Sequence, residues 1–155
     1  MNHQFTTQTV WTGNTGSGTS TYRAYERSHE VTSGSKAAIA GSSAPAFRGD
    51  AARWNPEELV TAALANCHML AFLHLAADAG VVVVAYRDEA SGSMTQTPGG
   101  GGHMTEVVLR PEVTVRDAES VDHCAALHDK AHELCFVAAS VAFPVRHEAT
   151  VRVRG

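Results

Sequence analysis

The chain has 155 residues, enough to bury one real core but too few for two ordinary domains. Hydrophobic residues make up 44% and charged residues 18%, the balance of a folded globular chain and not of a disordered one. A formal charge of −4 with scattered basic residues excludes the basic face of a nucleic-acid binder.

Met1 to Phe5 lack the basic and apolar regions of a signal peptide, so a cytoplasmic location is expected. Phe5 to Thr12 reads as a first strand. Gly13-Asn14-Thr15-Gly16-Ser17-Gly18 is a turn of the hairpin type. Thr19 to Tyr25 is predicted as a second strand, and Glu30 to Thr32 as part of a third. From Gly34 to Trp54 the chain turns to Gly, Ser, Ala and Pro without periodicity, and a long loop is predicted. Loops of this length are more often functional than decorative, and Phe47, Arg48, Asp50, Arg53 and Trp54 give it the chemistry to cover a site.

The first long helix announces both its ends. Asn55 is a good N-cap, Pro56 suits the first helical position, and Glu57 and Glu58 complement the positive end of the helix dipole. Gly80 stops it, after Asp78 or Ala79. Ala, Leu, Met, Phe and Cys occupy nearly every side, so all-round burial is expected. At about 23 residues and roughly 35 Å it is too long for so small a chain to bury alone, which points to a second subunit. Asn66, His68 and His74 are expected to make it too polar to span a bilayer.

Val81 to Tyr86 is a buried β-branched run that alternates onward to Met94. A flexible tip with four successive glycines follows, and Met104 to Val115 returns as its hairpin partner. A second long helix starts near Ser120 and is expected to end before Phe143-Pro144. Val145 to Arg154 closes the chain as a strand. The order of elements predicts a single α+β domain with a mainly antiparallel sheet and two long helices.

Three cysteines without a secretory context are more naturally free, catalytic or metal-bound than structural disulfides. Cys67 and Cys135 each lie in a predicted apolar helix. Desolvation alone would silence either thiol, so a reactive thiolate there needs a cation or donors from outside its helix. Taken singly, each also reads as an ordinary core cysteine. Cys124, three turns before Cys135 and about 16 Å from it along the helix, is beyond disulfide reach and reads as structural. His128, His132 and Cys135 form an i, i+4, i+7 stripe of zinc-ligand types. No His-Glu-x-x-His arrangement accompanies it, and exposed or capping histidines are the plainer reading. The glycine tip has no following Lys-Ser/Thr and is no phosphate cradle. The cations before the first helix are Arg23, Arg27, Arg48 and Arg53.

Asn55-Pro56-Glu57-Glu58-Leu59, then Ala62-Ala63, then Asn66-Cys67 resembles the Asn-Pro-Glu-x-Leu…Ala…Cys signature of the OsmC/Ohr family of hydroperoxide reductases. Ala131-His132-x-x-Cys135 is similar to that family's second-cysteine helix, and Trp11-Thr12-Gly13 followed by Gly18-Thr19 to its N-terminal hairpin. The resemblance covers essentially the whole chain in order. It implies an OsmC-like fold in an interlocked homodimer with two sites at the subunit interface. Cys67 would be the peroxidatic thiolate and Cys135 the resolving thiol, with Glu57 holding an arginine that activates Cys67. The implied substrate is an organic hydroperoxide and the reductant an external dithiol of lipoyl type, with no metal or organic cofactor. The chain departs from the family pattern twice. Asn14-Thr15-Gly16-Ser17 stands where the activating arginine commonly lies, and Phe136-Val137-Ala138 stands where proline and serine commonly follow the second cysteine. The arginine must then be Arg48, Arg53 or Arg27. The alternative is a non-catalytic dimer of the same fold that binds a small apolar or thiol-reactive ligand.

Overall fold

The computed structural model describes residues 1–155. The chain divides into two compact units, Met1–Leu59 and Val60–Gly155. In the first unit, strands β1 (Gln8–Trp11), β2 (His29–Thr32) and β3 (Ile39–Gly41) form an antiparallel sheet in the order β1-β2-β3, with Trp11 opposite His29. The partner of β1 is therefore β2, and the strand predicted at Thr19–Tyr25 does not form. That segment instead folds around Arg27. Its guanidinium lies 4.4 and 4.1 Å from the ring centres of Tyr22 and Tyr25 and donates to both of their carbonyls, at 2.7 and 2.6 Å. The predicted turn is present. The Asn14 Oδ1 accepts the N–H groups of Gly16 and Gly18, and both glycines take a positive φ, 122° and 56°, that a β-carbon would strain.

The expected loop from Gly34 to Trp54 is not structureless. It contains β3 and a single 3₁₀ turn, Pro45–Phe47. Trp54 closes it by exchanging backbone hydrogen bonds with Ala40 and Ser42, at 3.0 and 2.9 Å.

Helix α1 (Pro56–Asp78) has the bounds its caps predict. Asn55 Oδ1 accepts the Glu58 N–H at 2.9 Å while the Glu58 carboxylate accepts the Asn55 N–H at 3.1 Å, a reciprocal capping box. At the other end Gly80, at φ 72°, donates to Ala77, and Val81 donates to Ala76, the two bonds of a Schellman motif. Within this chain the burial is not all-round. Only the stripe Leu64, His68, Phe72 and Ala76, one residue per turn, is buried, and Leu70 on the far side is 64% exposed. By length and composition alone α1 could cross a bilayer, contrary to the sequence expectation, but its stripe is packed into the core.

Two antiparallel pairs follow, joined end to end. β4 (Val83–Asp88) pairs with β7 (Pro111–Val115), and β5 (Ser91–Gln96) pairs with β6 (Gly102–Leu109). The predicted long hairpin is thus broken at its middle, where the Asp88 carboxylate takes the Arg110 N–H at 2.7 Å. The closing strand is also two strands, β8 (Val145–His147) and β9 (Thr150–Val153). They add in parallel to β6 and β7, so the two sheets run β4-β7-β9 and β5-β6-β8 and are mixed. One apolar cluster gathers Phe72, Ala76, Val113, Val115, Cys124 and Ala131, and a second gathers Leu64, Val107 and Leu109.

Helix α2 (Val121–Leu134) is shorter than predicted. It ends at Cys135, whose ψ of 105° turns the chain out of the helix, and a 3₁₀ turn, Ala138–Ser140, follows. Cys135 is therefore a helix-end residue and not a mid-helix one.

Candidate functional site

The second unit brings Cys67, from the middle of α1, to Cys135, at the end of α2. Both thiols are free, and Cys67 lies close enough to Cys135 to help raise the latter's pKa. Cys135 is 2% exposed, while Cys67 is half-buried. Burial first, and then the neighbouring Cys67 thiol, push the Cys135 thiol up to about 11, although its sulfur also accepts the Ala138 N–H at 3.3 Å. Cys135 therefore stays protonated at neutral pH. Cys124 is fully buried in the first apolar cluster, donates to the Ser120 carbonyl at 3.2 Å, and has its thiol pushed up by burial.

Beside Cys67 opens a cavity of about 390 Å³ lined by Cys67, Leu70, Ala71, His74, Leu134 and Phe136. Its walls are almost wholly apolar. Leu70 and Phe136 stand largely exposed at its rim, Phe136 at 83%. Such walls reward an alkyl or aryl group by roughly 0.8 kcal/mol per buried methylene and offer little to a small polar peroxide.

The remaining predicted residues are held by local contacts. Glu57 is half-buried in the first turn of α1, ten residues before Cys67 and about 15 Å from it along the axis. Arg53 pairs with the Asp50 carboxylate at 3.7 Å and points a long hydrogen bond of 3.5 Å at the His29 carbonyl. Arg48 is exposed and takes a left-handed φ of 64° as the cap of the 3₁₀ turn. Arg27 is clamped between its two tyrosines.

The structure adds a buried pair of histidines. His68 and His128 are not exposed; they are 1% and 0% exposed. His68 Nε2 and His128 Nδ1 share a hydrogen bond of 2.9 Å, and the rings lie parallel within 4°. Phe72 stacks on His128 with ring centres 4.0 Å apart. His147 stacks on His68 at 5.4 Å and reaches the exposed Asp129 at 3.3 Å, with His132 5.9 Å from it. Burial lowers His68 to about 4, helped by His147 and His132, and lowers His128 to about 3, helped by His68 and His147. Both rings are neutral at pH 7. Their outer nitrogens, His68 Nδ1 and His128 Nε2, are buried without a partner. Whichever ring donates the shared proton, the other must carry its own on its outer nitrogen, so one N–H faces nothing, at a cost of about 1–3 kcal/mol. No group of three or more ligands here could hold a metal ion, so the zinc stripe His128, His132 and Cys135 is not assembled. A signal for the burial was present. His128 lies four residues after Cys124 and three before Ala131, on the buried stripe of α2.

Comparisons with known proteins come to the same family by two routes. The family model described as OsmC-like protein matches residues 49–150. A solved OsmC-like protein of unknown function from Vibrio cholerae is 31% identical, covering 96% of this chain and 100% of that one, with a TM-score of 0.86. An organic hydroperoxide resistance protein OsmC from Legionella pneumophila is 19% identical over 96% of each chain, with a TM-score of 0.70. The organic hydroperoxide resistance protein OhrB of Bacillus subtilis is 20% identical over 96% of this chain and 98% of that one, with a TM-score of 0.60. At those identities the last two establish likeness of fold. Among curated proteins no match is found.

Proposed function

The chain belongs to the OsmC-like protein family, and from that premise we propose that it is a cysteine-based peroxidase that reduces organic hydroperoxides. The observation that carries the reading is the nearness of the Cys67 and Cys135 thiols beside an apolar cavity that Cys67 itself lines. Cys135 is enclosed while Cys67 lines the cavity, so attack falls to Cys67. Its thiolate takes the distal peroxide oxygen, the O–O bond breaks, and an alcohol leaves after gaining a proton. The Cys67 sulfenic acid then condenses with Cys135, releasing water and forming a disulfide, which an external dithiol reduces. The reaction calls for no metal and no organic cofactor.

Glu57 is assigned the role of holding the arginine that activates Cys67, through a bidentate pair that fixes the guanidinium. Arg48, Arg53 and Arg27 are the candidates, in that order. Arg48 has the least local engagement to give up, while Arg27 would have to leave two aromatic rings and two carbonyls. The working unit is proposed to be a cytoplasmic homodimer. Support comes from α1, whose far side leaves Leu70 exposed, and from the largely exposed Phe136.

One equivalent of cumene hydroperoxide followed by intact-mass measurement tests the reading. A loss of two hydrogens, absent in Cys67→Ser, is expected. An unchanged mass would favour the second reading, a non-catalytic dimer that binds a small apolar ligand. That alternative draws on the missing arginine in the Asn14–Ser17 turn and on Phe136 after Cys135.

A further inference from the structure

The buried histidine pair has no part in the reaction just described, yet it joins the two elements that carry it. His68 is the residue after Cys67 on α1, and His128 lies two turns before Cys135 on α2. Their 2.9 Å hydrogen bond is a polar tie between the cysteine-bearing helices, set among Phe72 and other core residues. A pair that only filled space would be better replaced by hydrocarbon, because both outer nitrogens are left without partners. What an apolar pair cannot supply is direction. A hydrogen bond fixes how far each helix is turned and slid against the other, whereas leucine against leucine tolerates several registers.

We propose that His68 and His128 are positioning residues whose hydrogen bond holds α1 and α2 in the register that brings the Cys67 and Cys135 sulfurs together. The proposal rests on the reading of those cysteines as a redox pair. Neither histidine touches the reacting atoms. His132 and His147 flank the pair, and Asp129 holds His147 at the surface, so no buried carboxylate competes for the shared proton.

Disulfide exchange with glutathione tests this without using a peroxide. The two protein thiols lose two electrons and two protons to glutathione disulfide, which becomes two glutathione thiols. The equilibrium constant measures how well Cys135 is presented to Cys67. Four proteins are compared by alkylation and mass: the natural chain, His68→Gln/His128→Asn, His68→Asn/His128→Gln, and His68→Leu/His128→Leu. A glutamine amide reaches where a histidine Nε2 lies and an asparagine amide where Nδ1 lies, so the first amide pair remakes the bond and the swapped pair cannot. The matched amides should keep the constant within threefold. The swapped amides and the leucines should lower it tenfold or more, with the leucine chain melting no lower than the natural one. If the leucine chain does not fold, matched against swapped amides still decides. Equal constants in all folded variants, or losses that merely follow melting temperature, overturn the proposal. If the natural chain forms no Cys67–Cys135 disulfide, the redox reading itself has failed and the proposal falls with it.

Discussion

Cys67 and Cys135 arrive at the same place by opposite means. Cys67 rides on a 23-residue helix capped at both ends and pinned by Leu64, His68, Phe72 and Ala76. Cys135 sits where a 14-residue helix gives out, its N–H reaching back to His132 at 3.3 Å and its sulfur held by the Ala138 N–H. One thiol is fixed by packing along a rod, the other by a few local bonds at a break. A disulfide needs sulfurs about 2.05 Å apart with a defined dihedral, so the two reduced thiols must close on each other. Under the proposed peroxidase reaction, the contrast leaves Cys67 in place for the first step and gives the Cys135 segment the freedom to move for the second.

The sharpest way to break this comparison is to remove each thiol in turn. Cys67→Ser should abolish oxidation by one equivalent of hydroperoxide, whereas Cys135→Ser should still react and gain one oxygen in mass. A Cys135→Ser protein that does not oxidise would place the first step on the wrong sulfur. Loosening the rod comes next. Phe72 is fully buried between His128 and Tyr86, and Phe72→Ala should lower unfolding free energy by about 3–5 kcal/mol in a denaturant titration. A loss under 1 kcal/mol would mean that α1 is not held by this stripe.

Acid should loosen the same rod more gently. The folded pKa of His68 is lowered to about 4 from an ordinary 6.5, so below 6.5 the unfolded chain takes up the proton first. The stability that neutral His68 contributes is complete above pH 6.5 and is lost as pH falls towards 4. Between pH 7 and pH 5 the drop is about 2 kcal/mol from this residue, and His128 acts in the same direction. Denaturant titrations should show that slope flattened in His68→Gln. An equal slope in both proteins would contradict a buried neutral ring. The smallest effect expected is that of Glu57→Gln, a tenfold fall in the rate of Cys67 oxidation, or about 1.4 kcal/mol, with the oligomeric state unchanged. A rate unchanged by that substitution would reduce Glu57 to a complement of the helix N-terminus.

What could be read from the sequence follows from how local each signal is. The bounds of α1 are written in Asn55, Pro56, Glu58 and Gly80, each acting within a turn of itself, and the helix runs from Pro56 to Asp78 as they indicate. The end of α2 carries no such sign, since no glycine or proline follows Leu134 until Pro144, and the predicted helix ran on. The partner of β1 depends on a register set across a loop of 17 residues, Thr12 to Ser28. The Tyr22 and Tyr25 that read as strand residues are spent on holding Arg27. The cysteines were visible as a pair from their family setting. The histidine pair was not, because its two members lie 60 positions apart and only the packing of α1 on α2 brings them together.

Cys124 has a use that its burial confers. Its thiol is fully enclosed, bonded to the Ser120 carbonyl and pushed towards protonation, so an alkylating reagent can reach it only when the core around Phe72 and Val115 opens. Cys67 is half-buried and reachable in the native state. In a single labelling time course the modification of Cys67 therefore records native access, and that of Cys124 counts openings of the core. The chain carries its own stopwatch for unfolding, with no probe added.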